Sequence, residues 1–154
     1  MRRLSLLITA ALAAAATALV LAVGGSAQGN PNTIQLVERT VQNTQVHNPP
    51  KGFSQGDEFV FRSKLTDTSG QRAGTDGGYC IFTKAARRSP VAECSASLFL
   101  SDGKISVSGG ANLGGRKVLL PVVGGTGAYE GAQGTLLVEE RKGNKSDLTV
   151  NLQP

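Results

Sequence analysis

After residue 30 the chain holds no apolar run at the helical period, and Gly, Pro, Asn or Asp interrupts it every 8 to 15 residues. An amphipathic helix needs that period over a dozen residues or so, whereas short segments bounded by turn residues read as strands. Eight such segments stand out: Ile34–Val46, Asp57–Leu65, Gly78–Thr83, Val91–Leu100, Ile105–Ser108, Lys117–Val123, Gly134–Glu140 and Leu148–Leu152. The fourth alternates most clearly, with Ala92, Cys94, Ala96, Leu98 and Leu100 on one face and Glu93, Ser95 and Ser97 on the other. Ser101-Asp102-Gly103-Lys104 then reads as a tight turn that requires positive φ. The fold class is all-β.

Eight short strands in one small domain leave a closed barrel or a sandwich. An immunoglobulin-type sandwich wants a core Trp between well-separated cysteines. This chain has no Trp, and its two cysteines, Cys80 and Cys94, are close in sequence. The expectation is therefore an eight-stranded antiparallel β-barrel spanning residues 34–154, preceded by a polar leader at 28–33. At this strand number a barrel either fills with side chains or holds one small ligand. Two strands, Tyr79–Phe82 and Val118–Val123, are apolar on both faces, more than a monomeric barrel needs. The surplus is a hint of a homo-oligomer.

The first 27 residues have another character. Met1-Arg2-Arg3 is followed by an uncharged apolar run from Leu4 to Val23, and Gly25 and Ala27 supply the small residues a signal peptidase accepts. Residues 1–27 read as a signal peptide cut after Ala27, which makes the barrel a secreted protein. The competing reading is a retained anchor, since the run is about the ~20 residues that a bilayer spans. Only in that case would the protein stay at a membrane. Removing Arg2 and Arg3 takes the formal charge from +5 to +3, and Arg87-Arg88 is the only pair of adjacent arginines left. A basic stripe with interleaved aromatics is missing, so nucleic acid is not an expected partner.

In an oxidising compartment an even cysteine count implies a bridge. Cys80 and Cys94 share the apolar parity of neighbouring strands, so a bridge between them would face the core. With one histidine, His47, no zinc site of four closely spaced ligands can be assembled. The Gly124-Gly125-Thr126-Gly127 run, continuing to Gly131, imitates a dinucleotide fingerprint. Its spacing is one residue too long, and Gly131 and Gly134 break any helix that would follow. Gly124, Gly125, Gly127 and Gly131 are read instead as a structural glycine loop between strands, with Tyr129 anchoring it against the barrel end.

Four pieces occur in order: Gly56-Asp57-Glu58-Phe59-Val60-Phe61; Arg72-Ala73-Gly74 with Gly78-Tyr79-Cys80; Asp102 to Gly109; and Gly124 to Gly131. Together they resemble the allene oxide cyclase and dirigent superfamily, closer to its bacterial exported members than to its plant enzymes, over roughly Val37 to Leu152. The resemblance implies an eight-stranded antiparallel barrel, often trimeric, with an apolar cavity and no metal or redox cofactor. It also implies an activity that works by holding a reactive intermediate in one conformation.

Two departures limit the transfer. Cyclases of the family carry a glutamate followed two residues later by asparagine; Glu38 matches the acid, but Thr40 stands in place of the amide. Dirigent proteins carry Ala-Arg-Gly after the glycine loop, where this chain has Ala132-Gln133-Gly134. Glu38 is thus the candidate catalytic residue, with two readings: a buried acid that polarises a ligand, or a surface glutamate beside Arg39 on an edge strand.

The functional expectation is a secreted barrel that binds a small apolar molecule and steers its cyclisation or coupling. Were it an enzyme, it would be a cofactor-independent cyclase or isomerase. The alternative is a non-catalytic extracellular interaction module, favoured by the lack of a complete catalytic set. A protease inhibitor presenting the basic Lys84–Pro90 loop is a third, minor reading.

Overall fold

The computed structural model describes residues 32–49 and 52–153. Residues 1–27, read above as a signal peptide, and most of the expected polar leader lie outside the described residues. The chain forms β1 (Thr33–Val46), β2 (Glu58–Thr66), β3 (Arg72–Lys84), β4 (Val91–Leu100), β5 (Gly103–Asn112), β6 (Lys117–Gly127), β7 (Gly134–Glu140) and β8 (Lys145–Leu152). Each strand pairs antiparallel with the next, and β1 closes the ring by pairing with β8 from Thr33↔Asn151 to Arg39↔Lys145. It is the eight-stranded barrel anticipated from the turn spacing.

Closure decides which side chains are buried. Leu36, Leu65, Leu98, Ile105, Val107, Val122, Leu136, Leu148 and Val150 all point inward and are buried. The opposite parity faces solvent, and there Val60, Tyr79, Ile81, Leu119 and Val123 are exposed apolar residues. The two strands apolar on both faces therefore place their second face on the outer wall.

Three strands run further than the residue pattern indicated, each through glycines. β3 starts at Arg72 rather than Gly78, β5 continues to Asn112, and β6 continues through Gly124-Gly125-Thr126-Gly127. These glycines serve close packing as well as turns. A Cβ on Gly74 would stand 2.1 Å from the Phe99 carbonyl oxygen, and one on Gly78 would stand 2.3 Å from that of Ser95. Only a bare backbone allows β3 to curve so tightly against β4.

The glycine motif is correspondingly part strand and part connection. Gly124, Gly125 and Gly127 pair with Ser106, Ile105 and Gly103 of β5, after a bulge beyond Val122, while Gly131 lies in the connection to β7. Tyr129 packs against the core from that connection. A Cβ on Gly125 would meet the Tyr129 carbonyl oxygen at 2.3 Å and that of Lys104 at 2.6 Å. Gly125→Ala should therefore cost about 2–3 kcal/mol of stability in a urea melt, because backbone has to move. Gly131, at φ +72° in open space, should cost only about 1 kcal/mol on the same change. Equal losses at both positions would show that conformation, not space, governs this segment.

Candidate functional site

The barrel interior is filled at one end and open at the other. Strand register sets the rungs: Ser63, Asp76 and Leu98 share one, Phe61, Gly78 and Ala96 the next, and Phe59, Cys80 and Cys94 the one beyond. At the middle rung a glycine and an alanine stand where large side chains would fill the barrel. A cavity of about 220 Å³ results, lined by Phe59, Phe61, Cys80, Cys94, Ala96, Leu113, Val118, Leu120 and Val138, with Glu38, Thr40, Glu140 and Ser146 among the polar contributors. Hollows of about 470 and 440 Å³ lie elsewhere, over β2–β3 and beside the β6–β7 connection, and neither touches Glu38 or Asp76.

Cys80 and Cys94, direct partners across β3–β4, form the expected disulfide and line the cavity wall. The rings of Phe59 and Phe61 stack on that wall with centroids 5.8 Å apart and planes 19° apart. Alternate residues of one strand face one side, which is why these two rings meet.

Glu38 lies at the bottom of the cavity. It is 7% exposed, and its Oε1 accepts a 2.7 Å hydrogen bond from the Ser63 hydroxyl. The edge-strand reading fails here, because β1 is paired on both sides at Glu38, with Leu65 and with Ser146. Beside it, directly across from Ser63, stands a second buried acid, Asp76, 5% exposed. Its Oδ1 has no hydrogen-bond partner among the described residues. Burial, followed by the nearby charge of Glu38, pushes the Asp76 carboxyl up to about 7, while the Ser63 hydroxyl pulls weakly the other way. Two acids thus share one hydroxyl beneath an apolar chamber.

Neither Ser63 nor Asp76 was a candidate on sequence grounds. Asp76 sits inside Gly74-Thr75-Asp76-Gly77-Gly78, which reads as a connection unless the parity of Cys80 is carried backward along the chain. Gly124, Gly125, Gly127 and Gly131 belong to the filled end, so they shape the barrel and not this site.

The β1–β2 connection at the open end is pinned by Asp57. Its carboxylate accepts from the Asn48 amide at 2.8 Å, the Ser54 amide at 3.1 Å and the Ser54 hydroxyl at 2.9 Å, and meets His47 Nδ1 at 2.9 Å. The His47 contact first, then the Asn48 amide, holds Asp57 well below the usual carboxylate range. The pair is a loop clamp. Among the described residues no group of three or more His, Cys, Asp or Glu is placed to hold a metal ion.

Comparison with known proteins agrees with this architecture. Over 79% of this chain and 99% of its own, a solved pyocyanin demethylase superposes with TM-score 0.73 at 25% identity. An exo-specific intermolecular Diels–Alderase matches at 21% identity and TM-score 0.66, over 78% of this chain and 96% of its own. A pterocarpan synthase dirigent protein matches at 13% and 0.59, over 78% and 81%; at such identities these two speak for the fold alone. No curated protein matches the sequence. From residue 37 in the first strand to residue 150 in the last, the sequence matches the allene oxide cyclase barrel like domain, and the chain belongs to that family.

Proposed function

We propose that this protein is a secreted barrel that binds a small, largely apolar molecule in the Glu38 cavity and steers its cyclisation or coupling. The observation that carries the reading is a chamber with an apolar wall and one buried acid, Glu38, at its base, with Asp76 buried in the layer beneath. At about 220 Å³ it is smaller than the roughly 300–1,000 Å³ of drug-sized pockets, so it suits a ligand of one or two rings. The wall fixes the ligand's conformation, which favours one ring closure or coupling geometry over others. Glu38 accepts a hydrogen bond from the bound molecule, and Asp76, poised near neutrality, gives or takes a proton through Ser63. Membership of the allene oxide cyclase barrel like family supports a steering role. The reading of residues 1–27 and the Cys80–Cys94 bridge support export. The exposed Val60, Tyr79 and Ile81 on the outer wall support self-association into a homo-oligomer.

Thermal unfolding with a panel of one- and two-ring aromatic and terpenoid compounds tests the reading. A ligand at a hundred times its Kd adds about 2.7 kcal/mol, on the order of 10 °C for a domain of this size. Ala96→Leu, which fills the chamber, should abolish that gain. If no compound stabilises the protein, or if the filled variant responds as well as the wild type, the cavity is not a ligand site.

A further inference from the structure

We propose that the cavity selects a small planar aromatic cation and rejects anions. The inference rests on the reading that this cavity is the ligand site, and it follows from the charges that face it.

Every ionisable side chain lining the chamber is acidic: Glu38 at the bottom and Glu140 toward the open end, with no Lys, Arg or His among the lining residues. Glu38 is more than nine-tenths buried, and its only hydrogen bond among the described residues is the one that Ser63 donates to Oε1. Its second carboxylate oxygen has no donor among the described residues and, not being sealed off, opens toward the chamber. Asp76 next to it likewise keeps an oxygen without a partner. A carboxylate so enclosed costs free energy unless it is paired or fully hydrogen-bonded, and among the described residues no cation forms an ion pair with this one. A positive group in the chamber would complete the missing interaction. A carboxylate-bearing ligand would meet Glu38 at close range in a medium that screens poorly.

The wall adds the second half of the recognition. Phe59 and Phe61 present stacked rings to the chamber. Aromatic faces attract cations, and flat rings stack on them. A carboxylate beside two phenyl rings describes a site for a charged heteroaromatic.

The hairpins at the open end carry the opposite sign. Lys84, Arg87, Arg88, Arg116, Lys142 and Lys145 are exposed there, while Lys117 is paired with Glu139 and Arg141 with Asp147. Exposed charges are screened over about 8 Å at physiological salt, and a buried pair is screened much less. The rim therefore affects how fast a cation enters, and Glu38 decides whether it stays.

Three probes of matched shape test this by calorimetry on the mature wild-type protein: N-methylquinolinium, 1-methylnaphthalene and 1-naphthoate. The cation should bind at least tenfold more tightly than the neutral hydrocarbon, and 1-naphthoate should not bind measurably. Glu38→Gln, which keeps the shape and removes the charge, should collapse the gap between cation and hydrocarbon to under threefold. Should that variant fail to fold, the wild-type ranking decides alone. Hydrocarbon binding as tight as the cation, or naphthoate binding as tight as either, overturns the inference and leaves the cavity reading standing. A cation preference that survives in Glu38→Gln overturns the role of Glu38. If none of the three binds, the cavity reading falls and this inference with it.

Discussion

Asp76→Asn is expected to make the protein more stable by about 4 kcal/mol above pH 7, and by almost nothing near pH 4. The carboxyl is pushed up to about 7 in the fold from an ordinary value of 3.8. Below pH 3.8 it is protonated in both the folded and the unfolded chain and contributes no difference. Between about pH 4 and pH 7 the unfolded chain has released its proton while the folded barrel keeps it. The folded state then binds more protons, so stability falls as the pH rises, and the fall ends once the folded group ionises too. A carboxyl with those two values costs about 4 kcal/mol in the plateau above pH 7. Asparagine has the same shape and never ionises, and its amide can donate to the acceptors beside it, Glu38 and Ser63. Urea melts at pH 4.5, 6 and 8 should show the wild type losing stability stepwise while the variant stays level. A variant less stable than wild type at pH 8 would mean that the Asp76 carboxylate is solvated or paired in solution. Because the Glu38 charge contributes to the elevated value, Glu38→Gln should flatten the wild-type slope in part.

The tolerance of a costly acid at this position fits a site rather than a scaffold. An apolar residue at 76 would join Leu65 and Leu98 in the core and remove the penalty. Strain of this kind collects where a ligand is handled.

How much of this was legible from the residues depends on the strand. Val91–Leu100 announces both its bounds and its inward face, because its alternation is uninterrupted and turn residues flank it. β3 conceals its first half. Gly74, Gly77 and Gly78 carry the statistics of a loop, and the reason for two of them, the approach of the β4 backbone, lies in another strand. Asp76 was lost with that half-strand. Glu38 was visible as a candidate, but its burial depends on closure between β1 and β8, strands at opposite ends of the domain. Local alternation shows which residues share a face. It does not show whether a strand has a neighbour on both sides. Gly124 to Gly127 mislead for a related reason: positive φ and strand pairing coexist at the bulged end of β6, a combination that a turn signal alone does not display.

Replacing Cys80 and Cys94 together by alanine should lower stability by roughly 4 kcal/mol. The bridge joins residues 14 apart in sequence, and closing a loop of that size is worth about 3 kcal/mol in the unfolded chain. Both cysteines are buried in the cavity wall, at 7% and 6% exposure, so losing the two sulfur atoms adds roughly 1 kcal/mol for packing that nothing replaces. With a urea dependence of about 2 kcal/mol per molar, the midpoint should fall by roughly 2 M. The register of β3 against β4 does not depend on the bridge alone, since pairing runs from Gly74↔Leu100 to Lys84↔Val91. The variant should therefore keep its β-sheet circular dichroism at low denaturant, and its chamber should be wider where the sulfurs stood. Two-ring probes that fit the wild-type chamber should then bind less tightly for want of contact. A midpoint shift below 0.5 M would show that the hairpin holds its register unaided, leaving shaping of the ligand wall as the bridge's main contribution.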